Sequence, residues 1–188
     1  MAVTQSALVD DYLAKGTNQT DIIDKDRGAV AGNKLRIMTA DLEIADGAFD
    51  ADGDVVVLCP LHIDDVVHSL TFGFDEHDAG TDSLVNIGLY VDAAGTDVED
   101  EDAYASAVTT FRAASATFGT NLAFEARGVE KAGQSVWEDA GYATRAAALA
   151  ATEAFRGRLF LALTQTATVS DDSGGGTLAF QVVYSSDH

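Results

Sequence analysis

The alternation of apolar and polar residues predicts a chain built mainly from β-strands. Residues 35–46, LRIMTADLEIAD, change between polar and apolar with a period of two. The apolar face of this segment consists of Met38, Ala40, Leu42 and Ile44. Successive side chains of a strand point to opposite faces of its sheet, so the segment is predicted to be a half-buried strand.

A second alternating segment, residues 66–77, reads VVHSLTFGFDEH. Its pattern places His68 on the same strand face as Leu70 and Phe72. A histidine at the edge of the apolar core is therefore the expected role of His68.

Further strands are predicted where short apolar runs lie between glycine- and aspartate-rich turns. These runs are VVVLCPL (55–61), which Pro60 is expected to end, SLVNIGLYVD (83–92), NLAFEARG (121–128), RLFLALTQTATV (158–169) and TLAFQVVYSSD (177–187). The glycine-rich DDSGGGT (171–177) predicts a hairpin turn between the last two. Strands that recur in this way favour a sandwich or barrel over a series of βαβ units.

Helix is predicted in only two segments. Residues 97–111, DVEDEDAYASAVTTF, can hold a short helix with Asp100 as a possible cap and acids at its positive N-terminal end. Residues 144–155, TRAAALAATEAF, have the highest helix propensity, with Thr144 as cap and Gly157 as stop. An alanine-rich loop is the alternative for this second segment.

Residues 1–33 show no sustained period of 2 or 3.6 and differ from the rest of the chain. We interpret them as an extended N-terminal arm that precedes a β-sandwich domain of residues 34–188. Such an arm crosses a surface or adds a strand to a neighbouring molecule, and a disordered tail or a local edge strand is the alternative. The residues predicted to contact partners are Leu8, Tyr12, Leu13, Ile22 and Ile23 in the arm, and Trp137 in the domain.

Charge restricts the classes of partner. The chain has 31 acidic and 11 basic residues and a net charge of −20. Such a surface repels nucleic acid phosphates and anionic lipids, so neither nucleic acid nor membrane is expected as a partner. The apolar runs also fall short of the roughly 20 residues that a membrane helix needs.

The acidic clusters are interpreted as solvated surface rather than as metal sites. The acids within 97–102 suit the N-terminus of a helix. The turn DADGD, with Asp50, Asp52 and Asp54, imitates the start of an EF-hand loop, but the twelfth position holds Leu61 instead of an acid. A shallow calcium or sodium site on these three aspartates stays open as an alternative to a solvated turn.

Catalytic chemistry is not indicated by any motif. One cysteine and four histidines at 62, 68, 77 and 188 do not form a zinc motif, and a GxSxG elbow is absent. We therefore predict a non-enzymatic protein with no catalytic residue, metal or cofactor. Trp137 is expected to anchor the core, with an interface or sugar-stacking role as the alternative.

Several segments in order resemble the small structural proteins of tailed phages and viruses. They are GNKLRIMTADLEIADGAFDADGDVVVLCPL (32–61), SLVNIGLY (83–90), EDAYASAV (101–108), VWEDAGY (136–142) and GGGTLAFQVVYSSD (174–187). The resemblance implies an all-β, antiparallel, jelly-roll-like β-sandwich with one or two short helices. It also implies a place in the virion, usually as a capsid decoration (cement) protein or a related head component.

The resulting hypothesis is a virion structural protein on the outer face of the capsid. Its expected partners are the major capsid protein and further copies of itself, in a homotrimer. The alternatives are a carbohydrate- or receptor-binding sandwich of a head fibre or tail that uses Trp137 and Tyr142, a neck or tail component, and a calcium-dependent adhesion module.

Overall fold

The computed structural model describes residues 3–5, 29–30, 33–75, 82–112, 119–169 and 175–186. These residues form two β-sheets and two short α-helices, α1 and α2. The strands are β1 (Val3–Gln5), β2 (Ala29–Val30), β3 (Asn33–Ile44), β4 (Val55–His62), β5 (Val66–Phe74), β6 (Val85–Tyr90), β7 (Val98–Val108), β8 (Arg158–Gln165) and β9 (Gly176–Ser186). The helices are α1 (Val136–Asp139) and α2 (Arg145–Ala151).

The two sheets confirm the prediction of an all-β, antiparallel sandwich. The first sheet has the order β1-β4-β8-β6-β7 and the second β2-β3-β9-β5. The strand pairs are antiparallel, except that β1 runs parallel to β4.

The core lies between the two sheets. Met38, Leu42 and Ile44 of β3 are buried and Ala40 is half-buried, whereas Thr39, Asp41 and Glu43 are exposed, so the predicted alternation of this strand is confirmed. Buried residues of the other strands complete the core, among them Leu70, Phe72, Ile87, Leu89 and Tyr104. Each large apolar side chain contributes about 1.5–3 kcal/mol when it is removed from water.

The strands β4, β6 and β8 of the first sheet are buried on both faces, which explains their continuous apolar runs. Every residue of β8 is buried. A second, smaller cluster contains Val55, Val57, Tyr90, Ala93, Phe160 and Ala162. Phe155 packs on this cluster, with its ring edge-on to Phe160 at 5.2 Å between ring centroids.

The predicted role of His68 is wrong, because β5 contains a bulge. The register with β9 shifts between Val67 and Ser69, so Val67 is buried and His68 is exposed. The imidazole Nε2 of His68 lies 3.0 Å from the hydroxyl of Ser185 on the outer side of the sheet. One extra residue in a strand reverses the side to which the preceding side chains point.

The predicted end at Pro60 of the strand that begins at Val55 is also wrong, since β4 continues through Pro60 to His62. Proline cannot donate a hydrogen bond to a neighbouring strand and is tolerated where one side of a strand needs no donor. In the described part of the chain, β1 covers β4 only at residues 55–57, which leaves that side open at Pro60.

Three further local predictions are wrong. Residues 98–108 form the strand β7 rather than a helix, and their Ala103, Tyr104 and Ala105 are buried in the core. Residues 121–128 form turns, not a strand. β8 and β9 lie in different sheets and do not pair, so the predicted hairpin between the last two strands is wrong.

The start of the helix predicted after Thr144 is confirmed, whereas α2 ends at Ala151, before the predicted end at Phe155. The Thr144 hydroxyl accepts a hydrogen bond from the Ala147 amide at 3.2 Å and caps α2. The hydroxyl of Thr152 donates to the Ala148 carbonyl at the other end. Arg156 and Gly157 then have positive φ angles of 55° and 75°, which turn the chain into β8.

Candidate binding surface

Residues 98–102 of the acidic segment 97–102 lie on β7, at the edge of the first sheet. The side chains of the segment are exposed or half-buried, and two of its glutamates accept hydrogen bonds from other side chains of the chain. Glu99 accepts a hydrogen bond from the Tyr142 hydroxyl at 2.7 Å, and Glu101 accepts one from the Asn86 amide at 2.9 Å. The interpretation of these acids as a helix N-terminus is therefore wrong, whereas their position on the surface agrees with the prediction.

Burial raises the pKa of Asp100, which also lies near Asp102. This part of β7 runs unusually close to β6, because Gly88 lacks a side chain. A Cβ atom at Gly88 would overlap the carbonyl oxygen of Asp100 and the backbone of Glu101. The glycine thus allows the irregular pairing of the two strands.

The three aspartates of the DADGD turn do not converge. Asp52 is exposed, whereas Asp54 is buried and accepts a hydrogen bond from the Ala51 amide at 2.9 Å. In the described ranges, no three or more His, Cys, Asp or Glu side chains are arranged to hold a metal ion. His62 is half-buried beside Asp64, and the remaining two histidines, 77 and 188, lie outside the described residues.

Cys59 is buried in the interior, and Trp137 lies at the edge of the core. Burial raises the pKa of the Cys59 thiol far above its ordinary value. Trp137 is half-buried in α1 and packs against the main core, while its amide donates to the Ile63 carbonyl at 3.0 Å. The structure therefore places Trp137 at the edge of the core. Its predicted contact with a partner stays a prediction.

The arm residues predicted to contact partners, Leu8, Tyr12, Leu13, Ile22 and Ile23, lie outside the described residues. The structure does describe two short strands of the arm region. β1 pairs with residues 55–57 of β4, and β2 pairs with the start of β3.

A buried ionic cluster joins three parts of the domain. Arg127 donates through Nη1 to the Asp139 carboxylate and through Nη2 to the Val67 carbonyl at 2.8 Å. The guanidinium carbon also lies 4.6 Å from the Phe124 ring centroid and 5.2 Å from that of Tyr104. These contacts fix the turn at 123–127 against α1 and β5.

A small apolar depression lies at one end of the sandwich. Its walls are mainly aliphatic and aromatic, and Asp75 is the one ionisable side chain among its lining residues. The Asp75 carboxylate accepts a hydrogen bond from the Thr177 amide at 3.1 Å. The other lining residues are Ile44, Phe49, Phe74, Phe111, Leu163, Gly176 and Leu178.

The outer face of the second sheet carries two large aliphatic side chains that are exposed. Leu35 and Ile37 are 59% and 50% exposed on this face. Their cross-strand neighbours on β9 are Ser185 and Val183, and Thr39 lies opposite Gln181. We call the group Leu35, Ile37, Thr39, Gln181, Val183 and Ser185 the neutral patch.

The neutral patch is the feature that sequence reasoning missed. The alternation of β3 already put Leu35 and Ile37 on the polar face, opposite the core side chains. Two large aliphatic residues on a face directed to water were the available signal.

Comparisons with known proteins reveal a likeness in fold. No family model and no curated protein matches the sequence. Among solved structures, the chain is similar to a chain of the capsid of Ralstonia phage GP4, with a TM-score of 0.60, 15% identity and 97% of each chain covered. The chain shares the fold of that phage capsid chain. A chain of the Cyanophage Pam1 capsid asymmetric unit is matched at a TM-score of 0.49 and 17% identity, over 90% of this chain and 97% of the other.

Proposed function

We propose that this protein is a structural component of a phage virion that decorates the capsid. The observation that supports the proposal is the fold shared with the chain from the Ralstonia phage GP4 capsid, over 97% of both chains. The likeness extends over nearly the whole length, so it includes the sandwich and its connections rather than one common motif.

The outer face of the capsid is the location that the charge favours. A net charge of −20 would meet strong repulsion from packaged DNA on the inner face. On the outer face the same charge is directed to solvent and keeps the particle soluble. The acids of β7, exposed at the edge of the first sheet, suit such a surface.

The proposed partners are the major capsid protein and neighbouring copies of this chain, in a homotrimer. The arm, residues 1–33, supplies contacts by crossing from one subunit to the next. The domain, residues 34–188, supplies the rigid body, since its two sheets enclose a continuous core. A decoration protein of this kind stabilises the shell by bridging subunits against the internal pressure of DNA.

The direct test is binding to capsid shells that lack the protein. The purified chain is mixed with such shells, which are sedimented, and the bound protein is quantified by mass spectrometry. The expected result is saturable binding at a fixed ratio to the major capsid protein and a higher shell disruption temperature. Failure to bind intact shells, or recovery from virions in only the few copies of a neck or tail ring, would overturn the proposal.

A further inference from the structure

The outer face of the second sheet is uncharged at one end. Residues directly opposite each other in paired strands point to the same face of a sheet, so the register defines rows of side chains that cross β3, β9 and β5. Three of these rows are Leu35–Ser185–Val66, Ile37–Val183–Ser69 and Thr39–Gln181–Thr71. The neutral patch therefore continues onto β5 through three further uncharged residues, in a chain that has 31 acidic residues.

The aliphatic side chains of this face are accessible. Leu35 and Ile37 are 59% and 50% exposed, and Thr39 is exposed beside them. Val183 is half-buried between Ile37 on β3 and Ser69 on β5. Adjoining aliphatic side chains on the surface of a soluble protein are typical of a site that contacts another molecule.

The opposite end of the same face is acidic. Asp41 and Glu43 follow Thr39 on β3 and are exposed. The Glu43 carboxylate accepts a hydrogen bond from the Thr177 hydroxyl at 2.9 Å, and the Asp75 carboxylate accepts one from the Thr177 amide at 3.1 Å. The face thus has an aliphatic, uncharged end and a negative end.

The size and charge of the face indicate what kind of occupant it fits. Residues 35–43 of a strand span roughly 26 Å and neighbouring strands lie about 4.8 Å apart, so the face offers on the order of 300 Å². A stable complex of two proteins usually buries about 800 Å² on each partner. Two copies of this chain that met only on this face would therefore not form a stable dimer, and each would bring a charge of −20.

A protein of the capsid shell fits this face better than a second copy does. A small contact is sufficient on a shell, because further contacts between the same two partners, such as those proposed for the arm, raise the overall affinity. The negative end of the face requires positive charge on the partner, whereas the neutral patch requires an uncharged surface opposite to it.

We propose that the outer face of the second sheet packs against a capsid protein that presents an aliphatic, uncharged surface flanked by basic side chains. This inference rests on the proposed function and names the surface through which the domain binds. The aliphatic surface lies against Leu35, Ile37 and Val183, and the basic side chains lie opposite Asp41. The first sheet is then behind the second, so the acids of β7 stay directed to solvent.

Hydroxyl-radical footprinting with mass spectrometry tests the proposal on the complete chain, free and bound to capsid shells that lack it. Hydroxyl radicals react with exposed aliphatic side chains, so Leu35 and Ile37 should be labelled in the dilute free protein. On the shells their labelling should fall about fivefold or more, because the centre of an interface excludes water. Val98 of β7, which is 48% exposed, is the internal reference and should change little.

Each other outcome of the footprinting overturns the inference. Binding to shells with unchanged labelling of Leu35 and Ile37 does so and leaves the proposed function standing. Weak labelling in the dilute free protein would identify another part of the same chain as the occupant. A loss of labelling that grows with protein concentration, without shells, would identify a second copy. No binding of the unaltered protein to shells would overturn the proposed function and this inference together.

A substitution in the neutral patch gives an independent readout. Ile37→Lys places a charge against the aliphatic surface of the partner and should weaken shell binding about tenfold or more. Val129→Lys is the matched control, because Val129 is 77% exposed outside the second sheet and the charge change is identical. Equal binding of the two variants, with thermal unfolding unchanged in both, overturns the inference.

Charge reversal at the acidic end tests the basic part of the partner surface. Asp41→Lys should weaken shell binding about fivefold or more, because it sets two positive charges against each other. Asp52→Lys is the matched control, since Asp52 is exposed in the turn between β3 and β4 and the charge change is the same. Binding by the Asp41 variant that equals that of the Asp52 variant would mean that no basic group lies opposite this end, and would overturn the inference.

Discussion

Arg127 and Asp139 form an ion pair in which the two side chains are only 2% and 0% exposed. The pair connects a turn that precedes α1 with the last residue of α1, and the same guanidinium reaches the Val67 carbonyl at 2.8 Å. Removal of one partner from a buried pair leaves the other charge without compensation, which is far more costly than loss of a surface ion pair.

Arg127→Met should therefore destabilise the domain by about 3–5 kcal/mol. The double variant Arg127→Met with Asp139→Asn should recover a large part of this loss, since it leaves no buried charge. Chemical denaturation of the two variants and of Asp139→Asn alone gives the coupling free energy of the pair. Additive effects of the two substitutions would show that the pair is not an energetic unit.

The Asp139 carboxylate also makes the free energy of unfolding depend on pH. Burial raises the pKa of Asp139 to about 6, against the opposing effect of Arg127. The folded protein thus holds this proton more tightly than the unfolded chain does. The contribution of Asp139 to stability is therefore fully present below its ordinary pKa and is lost as the pH rises towards 6.

Asp139→Asn removes this contribution, so the difference in unfolding free energy between wild type and variant should change between about pH 4 and pH 6. Denaturant unfolding of both proteins at several pH values measures this difference in free energy. The acids elsewhere in the chain are common to both proteins and cancel in the difference. A difference that is constant over this range would contradict the raised pKa.

The local sequence was sufficient to predict those elements that depend on the residue pattern of a single segment. The alternation of β3 predicted its buried face, and Thr144 predicted the start of α2, because each depends on neighbours in the chain. The bulge at Val67–Ser69 could not be predicted in this way. A shift of one residue in pairing with β9 reversed the expected orientation of His68.

The sheet to which a strand belongs likewise depends on contacts between residues that are distant in sequence. Residues 98–108 have the acidic start of a helix, but their Tyr104 is fully buried in the core and the strand pairs with β6. The last two strands look like a hairpin in the sequence, yet β8 pairs with β4 and β6 whereas β9 pairs with β3 and β5.

Gly88 provides a test of the close approach of β6 and β7. Gly88→Ala should destabilise the domain by roughly 1–3 kcal/mol or more, because the added methyl group overlaps the Asp100 carbonyl. Gly53→Ala is the matched control. Its φ angle is +86° and no atom lies within 4 Å of the added methyl group, so only backbone strain of about 1–2 kcal/mol is expected.

Thermal or denaturant unfolding distinguishes the two glycine variants. A loss for Gly88→Ala no greater than that for Gly53→Ala would mean that β7 can move away from β6 at little cost. The acid-rich edge strand would then be less firmly fixed than its buried Tyr104 indicates.

The arm offers the remaining test of the proposed assembly. Ile22→Asp combined with Ile23→Asp replaces the two adjacent aliphatic residues predicted to contact partners. If they are buried against a neighbouring subunit, the double variant should bind capsid shells roughly tenfold or more weakly, since two unpaired charges would enter an apolar contact. Co-sedimentation with the shells measures the affinity.

Asn18→Asp with Gln19→Glu is the control for this experiment, because it adds the same two negative charges to the arm at positions that are already polar. Weaker binding by both double variants to the same extent would indicate general repulsion between the arm and the shell. Wild-type affinity for the Ile22 and Ile23 variant would show that these side chains do not contact the capsid. A selective loss for that variant, with the thermal unfolding of the domain unchanged, is the result that the arm model requires.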